Sequence, residues 1–293
     1  MDIIERVSPL YTVYYYSDFL YRVVKFKRSR GGVRLLDDDK KSEITDRFEQ
    51  SYIRSRSMVM QLALCNRWDY FVTITVDPER FDRTDLDRIY KYLSQWIRDF
   101  RKKHRCSFSY LLVPELHADR RTWHFHGFLS GIPNHCISKF VRGIHPRNLV
   151  DSGYSNFPAL AAAVGFVSLS PVRDPVGSGM YIVKYITKEH AHDDFYQHLY
   201  FCSRGLSRAK AVADCFCYNS QLEAALSHES DFCAVGWVQP SNFAYPLDLA
   251  GCEAREEFQL DPVELSDLAF VDTVEVYDQM KIKLPGPWPE QSV

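Results

Sequence analysis

The sequence predicts an α+β fold, a central antiparallel β-sheet with helices packed on it, followed by a poorly defined acidic C-terminal region. Three observations carry the expectation. Short apolar runs with strand character recur at residues 70–76, 108–114, 122–129 and 166–169. A stretch with helical period separates the first two runs. The second and third are joined only by the polar turn His117-Ala118-Asp119-Arg120-Arg121, which suits an antiparallel pair.

Residues 1–34 are rich in tyrosine (Tyr11, Tyr14, Tyr15, Tyr16, Tyr21) and end in Lys25-Phe26-Lys27-Arg28-Ser29-Arg30. Aromatic rings beside cations suit single-stranded DNA, where bases stack and phosphates pair. An edge strand with a solvated face is the competing reading. A helix is expected over 43–66, bearing Arg47, Arg54 and Arg56, and a strand from Tyr70 to Val76 closed by Asp77-Pro78. Thr84 is the expected N-cap of a helix to about Lys103. Its acidic first turn (Asp85, Asp87) and basic last turn (Arg101, Lys102, Lys103) complement the helix dipole, and Leu86, Ile89, Leu93, Ile97 and Phe100 form its apolar face. A further helix is expected after Gly177-Ser178-Gly179. Residues 202–226 read as helical, and Leu284-Pro285-Gly286-Pro287-Trp288-Pro289 as a mobile terminus.

Trp123-His124-Phe125-His126-Gly127-Phe128-Leu129 holds the densest chemistry. Alternate strand residues share a face, so His124 and His126 point together while Trp123, Phe125 and Leu129 fill the other side. Two imidazoles can converge on one metal ion and leave it in want of an anionic oxygen. Glu115 supplies that oxygen from the end of the preceding strand, with His117, of the same parity, as competitor. A carboxylate and a phosphate substrate favour Mg²⁺ or Mn²⁺; zinc with two histidines and a glutamate stays open.

Downstream, Met180-Tyr181-Ile182-Val183-Lys184-Tyr185-Ile186-Thr187-Lys188 repeats Tyr-x-x-Lys at an offset of four. On a helix this stacks Tyr181 over Tyr185 and Lys184 over Lys188. An amphipathic helix with half-buried tyrosines has the same pattern.

With these motifs in order, the sequence resembles the HUH endonuclease superfamily, specifically rolling-circle replication initiators of phage and plasmid type. Phe71-Val72-Thr73-Ile74-Thr75 is similar to the first motif, His124-Phe125-His126 to the histidine motif and Tyr181 to Lys188 to the two-tyrosine motif. Val113-Pro114-Glu115-Leu116-His117 and Ser203-Arg204-Gly205-Leu206 add to a resemblance spanning about residues 50–210. It implies an enzyme that nicks single-stranded origin DNA through a tyrosine. The products are a 5′-phosphotyrosine and a 3′ hydroxyl that primes a host polymerase, and the strands are later rejoined. It also implies an RRM-like palm. Tyr181, Tyr185, Lys184 and Lys188 are the expected catalytic residues, and Glu115, His124 and His126 the metal ligands. Lys25, Lys27, Arg28, Arg30, Arg54, Arg56 and Arg204 are the expected DNA contacts. A relaxase or single-strand transposase would use the same core; a metal-dependent hydrolase would use water in place of tyrosine.

Charge is segregated. Residues 1–210 hold 33 Lys and Arg against 23 Asp and Glu, a net +10, whereas residues 211–293 hold 3 against 15, a net −12. A basic body with an acidic tail is what a partly phosphate-facing protein needs. The expected organisation is an aromatic and basic extension (1–42), a nickase domain (43–210) and an acidic extension (211–293). No run approaches the ~20 apolar residues of a membrane span, and the start Met1-Asp2-Ile3-Ile4-Glu5 does not read as a signal peptide. The eight cysteines form no Cys-x-x-Cys pair, so a reducing cytoplasm is expected and zinc-finger spacing is not found. Without a Gly-x-x-x-x-Gly-Lys-Ser/Thr loop there is no fused ATPase in the sequence, and a host helicase is the expected partner.

Overall fold

A tyrosine-rich hairpin, β1 (Tyr11–Ser17) and β2 (Leu20–Phe26), precedes the long helix α1 (Lys40–Leu64). Then come β3 (Tyr70–Val76), α2 (Leu86–His104) and the hairpin β4 (Ser109–Leu116) and β5 (Trp123–Ser130). Short strands β6 (Ser138–Lys139) and β7 (Ser155–Asn156) flank the helix α3 (Arg147–Asp151); α4 (Pro158–Val164) leads into β8 (Gly165–Pro171), and α5 (Pro175–Val183) reaches the tyrosines. The chain continues through β9 (Phe201–Cys202), β10 (Lys210–Cys215), α6 (Ser220–Ala225), β11 (His228–Glu229), β12 (Cys233–Val238) and β13 (Cys252–Gln259). This computed structural model describes residues 9–18, 20–27, 40–186, 199–229, 233–238 and 252–259, with backbone alone for 40–51 and 254–259.

The protein is α+β, with two antiparallel sheets and helices packed on them, as the sequence predicts. Two compact units result. One combines the chain up to Asn66 with the chain from Ser207 onward; the other centres on Arg67–Leu206. The sequence divides the chain into three consecutive segments, whereas the first unit draws on both ends. Strand pairing across about two hundred residues leaves no local signal, which is why a linear reading separates its parts.

In the first unit the sheet order is β11-β12-β2-β1-β10-β13. The tyrosine-rich hairpin is therefore interior, with β2 on β12 and β1 on β10, and Tyr11, Tyr14 and Tyr16 are buried. This corrects the edge-strand expectation. Residues 210–215 form a strand where helix was expected, with α6 after it. The part of the acidic region at 252–259 is a strand paired with β10. The segment 284–289 lies outside the described residues.

In the second unit the order is β6-β7-β8-β3-β5-β4-β9, so the histidine strand β5 lies inside the sheet between β3 and β4. One face is dry: Val72, Ile74, Val76, Leu112, Trp123, Phe125 and Leu129 pack with Leu86, Ile89, Leu93, Ile97 and Phe100 of α2 and Leu160 and Val164 of α4. Each such large side chain fully buried contributes roughly 1.5–3 kcal/mol. Asp85, one residue past the expected Thr84, caps α2 by accepting from the Arg88 backbone N–H at 2.9 Å. Gly127 is forced by β4: a Cβ there would strike the Leu111 carbonyl oxygen. With one face sealed, alternation turns the polar residues of β3, β4 and β5 to the other.

Candidate active site

Register assembles the site. On β5, His124 lies opposite Thr75 of β3 and Glu115 of β4, and His126 opposite Thr73 and Val113. Residues directly opposite in an antiparallel pair share a face, so two threonines, two histidines and a glutamate line one patch. Glu115 Oε2 lies 2.6 Å from His124 Nε2 and 2.8 Å from His126 Nε2, and the two Nε2 atoms are 3.2 Å apart. These edges bracket the ~3 Å between neighbouring ligands of an octahedral ion with bonds near 2.1 Å. The three residues can hold a divalent ion. The carboxylate opposite two imidazoles is the expected donor set, and Glu115 takes the third place over His117.

The remaining nitrogens are fixed from behind. His126 Nδ1 is 3.2 Å from Thr73 Oγ1, and His124 Nδ1 is 3.1 Å from His117 Nε2. If Nε2 faces an ion, each Nδ1–H donates to its partner, which selects the tautomer and aims the ring. The sequence did not single out Thr73 for this task. It stands two residues before Thr75 in the first motif, but only the β3–β5 register shows which histidine it meets.

Electrostatics favour the ligating forms. Burial alone would raise the Glu115 carboxyl, but hydrogen bonds from His124 and His126 outweigh it and bring it down to about 2. Burial lowers the His126 pKa, with Glu115 opposing. A carboxylate and a neutral imidazole are the states that bind metal.

The tyrosines lie against this cluster. Asp174 starts α5, accepting from the Gly177 N–H at 2.9 Å; the helix includes the Gly177-Ser178-Gly179 stretch, where the sequence reading began it only afterwards. Three tightened bonds follow, including Tyr185 N–H to the Ile182 carbonyl at 3.2 Å, so the chain keeps turning past Val183. Tyr181 and Tyr185 thus stay one turn apart, rings 5.2 Å apart at 84°. Tyr185 stacks on His126 at 4.0 Å and 11°, and Phe71 meets Tyr181 edge-on at 5.8 Å. The Tyr185 hydroxyl donates to the Tyr181 hydroxyl at 2.7 Å, and Lys184 Nζ sits 3.6 Å from the Tyr181 ring centroid. Burial raises both phenols. The shared hydrogen bond opposes the rise at Tyr181 and adds to it at Tyr185. Partial burial lowers the Lys184 ammonium. Lys188 lies outside the described residues.

The basic residues expected to meet DNA are dispersed. Lys25 pairs with Glu223 at 2.8 Å and Lys27 with Glu229 at 2.7 Å, so both lysines meet carboxylates of the acidic region within the first unit. Arg54 is exposed on α1, and the Arg56 guanidinium lies 5.5 Å from the Tyr52 ring centroid. Arg204 is exposed in the second unit, beside Gly205 with φ 79°. Arg28 and Arg30 lie outside the described residues. All eight cysteines are free thiols, and among the described residues no helix is long and apolar enough to cross a membrane.

Fold and site together define an antiparallel α+β unit carrying a three-donor metal cluster under a tyrosine pair. Residues 69–190 match the family described as Replication-associated protein ORF2, which supports a replication initiator family. That span holds the first, histidine and tyrosine motifs. No curated protein and no solved structure matches the chain.

Proposed function

We propose that this chain is a replication initiator that nicks single-stranded origin DNA through a tyrosine and later rejoins the strand. The stacking of Tyr185 on His126 carries the reading, because it sets two phenols against a cluster suited to a divalent ion. Residues of the Arg67–Leu206 unit supply the chemistry. Glu115, His124 and His126 would hold Mg²⁺ or Mn²⁺, which when bound polarises the scissile phosphodiester and takes up charge on its oxygens.

Tyr181 is the initiating nucleophile. Its hydroxyl already accepts a hydrogen bond, which favours its phenolate over that of Tyr185. A phenol with an ordinary pKa near ~10 needs such help, and Lys184 adds a positive charge on the ring face; Lys188 has the same role from the next turn. The Tyr181 oxygen bonds to phosphorus as the bond from phosphorus to the 3′ oxygen breaks. The phenolic proton ends on the 3′ hydroxyl. The 5′-phosphotyrosine keeps the phosphodiester's energy, so rejoining needs no ATP. Tyr185 remains for a second cleavage that circularises the displaced strand. Arg54, Arg56 and Arg204, with Lys25, Lys27, Arg28 and Arg30, would contact DNA phosphates. A host helicase and polymerase, in the bacterial cytoplasm, would extend the 3′ end.

The test is incubation with single-stranded DNA and Mn²⁺ and a denaturing gel. A protein–DNA adduct that depends on metal and on tyrosine is expected. Cleavage without an adduct would transfer the reading to a hydrolase.

A further inference from the structure

A second group of metal-ligating side chains converges at the other end of the β4–β5 hairpin. The first cluster adjoins the Leu116–Trp123 end of that ladder, whereas the Ser109–Ser130 end lies roughly 20 Å away at ~3.3 Å per residue. There His104, the last residue of α2, meets His135 and Cys136 in the 3₁₀ turn Asn134–Cys136. A ligand atom from each lies within 4.8 Å of the other two. Cys136 Sγ is 3.7 Å from His104 Nδ1, and the two imidazole centroids are 5.9 Å apart.

The backbone holds these donors in place. Arg105 adopts a left-handed conformation at φ 48° and stops α2 directly after His104. The Cys136 N–H donates to the Pro133 carbonyl at 2.9 Å, closing the turn. Phe100 stacks on the His104 ring at 4.3 Å and 27°, leaving its nitrogens at the rim of that contact. Cys106 is near enough to act electrostatically on the Cys136 thiol.

We propose that His104, His135 and Cys136 form a structural zinc site, with Cys106 as the available fourth ligand. A thiolate with two imidazoles is a soft, nitrogen-rich donor set, typical of tetrahedral zinc and unlike the carboxylate-bearing cluster at the other end. Binding replaces the Cys136 S–H by an S–Zn bond and releases the proton to solvent. The ion would tie the end of α2 to the turn after β5, two segments that no regular ladder joins. The cysteines have no zinc-finger spacing, so the pattern was not visible in the sequence.

Cobalt distinguishes the two clusters, since only one contains sulfur. The full-length protein, freed of metal and titrated with Co²⁺, should develop a thiolate-to-cobalt charge-transfer band in the near ultraviolet. The band should persist in the His124→Ala/His126→Ala variant, vanish in Cys136→Ser and be displaced by one equivalent of zinc. Zinc affinity should fall at least ~10-fold in His135→Ala, whose side chain is exposed and whose loss spares the core. This second variant keeps the test decisive if Cys136→Ser does not fold. A folded wild-type protein without the band, a band that survives Cys136→Ser, or a Cys106–Cys136 disulfide in the protein purified under reducing conditions would overturn the proposal.

Discussion

Replacing each tyrosine by phenylalanine separates chemistry from packing. The Tyr185 O–H donates to the Tyr181 oxygen at 2.7 Å, and both side chains are buried. Tyr181→Phe leaves that donor without its acceptor, a cost of about 1–3 kcal/mol, whereas Tyr185→Phe forfeits one ordinary hydrogen bond, about 1 kcal/mol. Phenylalanine keeps the ring on His126 and the edge contact with Phe71. Tyr181→Phe should therefore lower Tm more, each kcal/mol amounting to roughly 2–4 °C in a unit of this size. Neither loss should unfold a domain of ordinary stability. In gel assays with single-stranded DNA and Mn²⁺, each single variant should keep some cleavage and form an adduct through the remaining phenol. Tyr181→Phe should be the slower, and both should fail to join a second strand. The double variant should form no adduct and cleave nothing. Cleavage by a folded double variant would refute tyrosine attack, and equal Tm losses would refute the donor assignment.

Four further outcomes are expected. Glu115→Ala should weaken Mn²⁺ binding by calorimetry more than His117→Ala, because His117 touches the site only through His124 and such outer contacts are worth 10–100-fold; the opposite ranking would make His117 the ligand. Burial holds the Tyr181 and Tyr185 pKa values above the ordinary ~10, so the stability they contribute is complete below that value and is lost as pH rises through the folded-state values. Alkaline unfolding followed by phenolate absorbance should thus flatten in the double phenylalanine variant, and an unchanged curve would show the phenols are not buried in solution. Gly127→Ala should destabilise by at least the 1–3 kcal/mol typical of overpacking, since the added methyl meets β4 backbone, and a neutral Tm would contradict the close approach. Removing residues after 250 strips β13 from β10, while removing those after 260 spares it, so only the shorter protein should lose thermal stability; equal stability would mean the pairing contributes nothing.

Local patterns in the sequence determined the α+β class, the histidine strand, the apolar face of α2 and the pairing of Tyr181 with Tyr185. Alternation and helical periodicity are short-range rules, and a dry sheet face leaves His124 and His126 one direction to point. The acidic third ligand was nearly legible too, since Glu115 and His117 share a parity. Only the β4–β5 register, which sets Glu115 beside His124, separated them. What tertiary structure alone decided depends on contacts between residues distant in the chain. Thr73 orients His126, and Tyr185 stacks on His126 across some sixty residues. The tyrosine-rich hairpin became an interior pair of strands because β10 and β12, about two hundred residues later, cover both its sides. The same closure set Lys25 against Glu223 and Lys27 against Glu229. Charges that read as a DNA-facing patch beside an acidic tail neutralise each other in part, because the chain folds its two ends into one sheet.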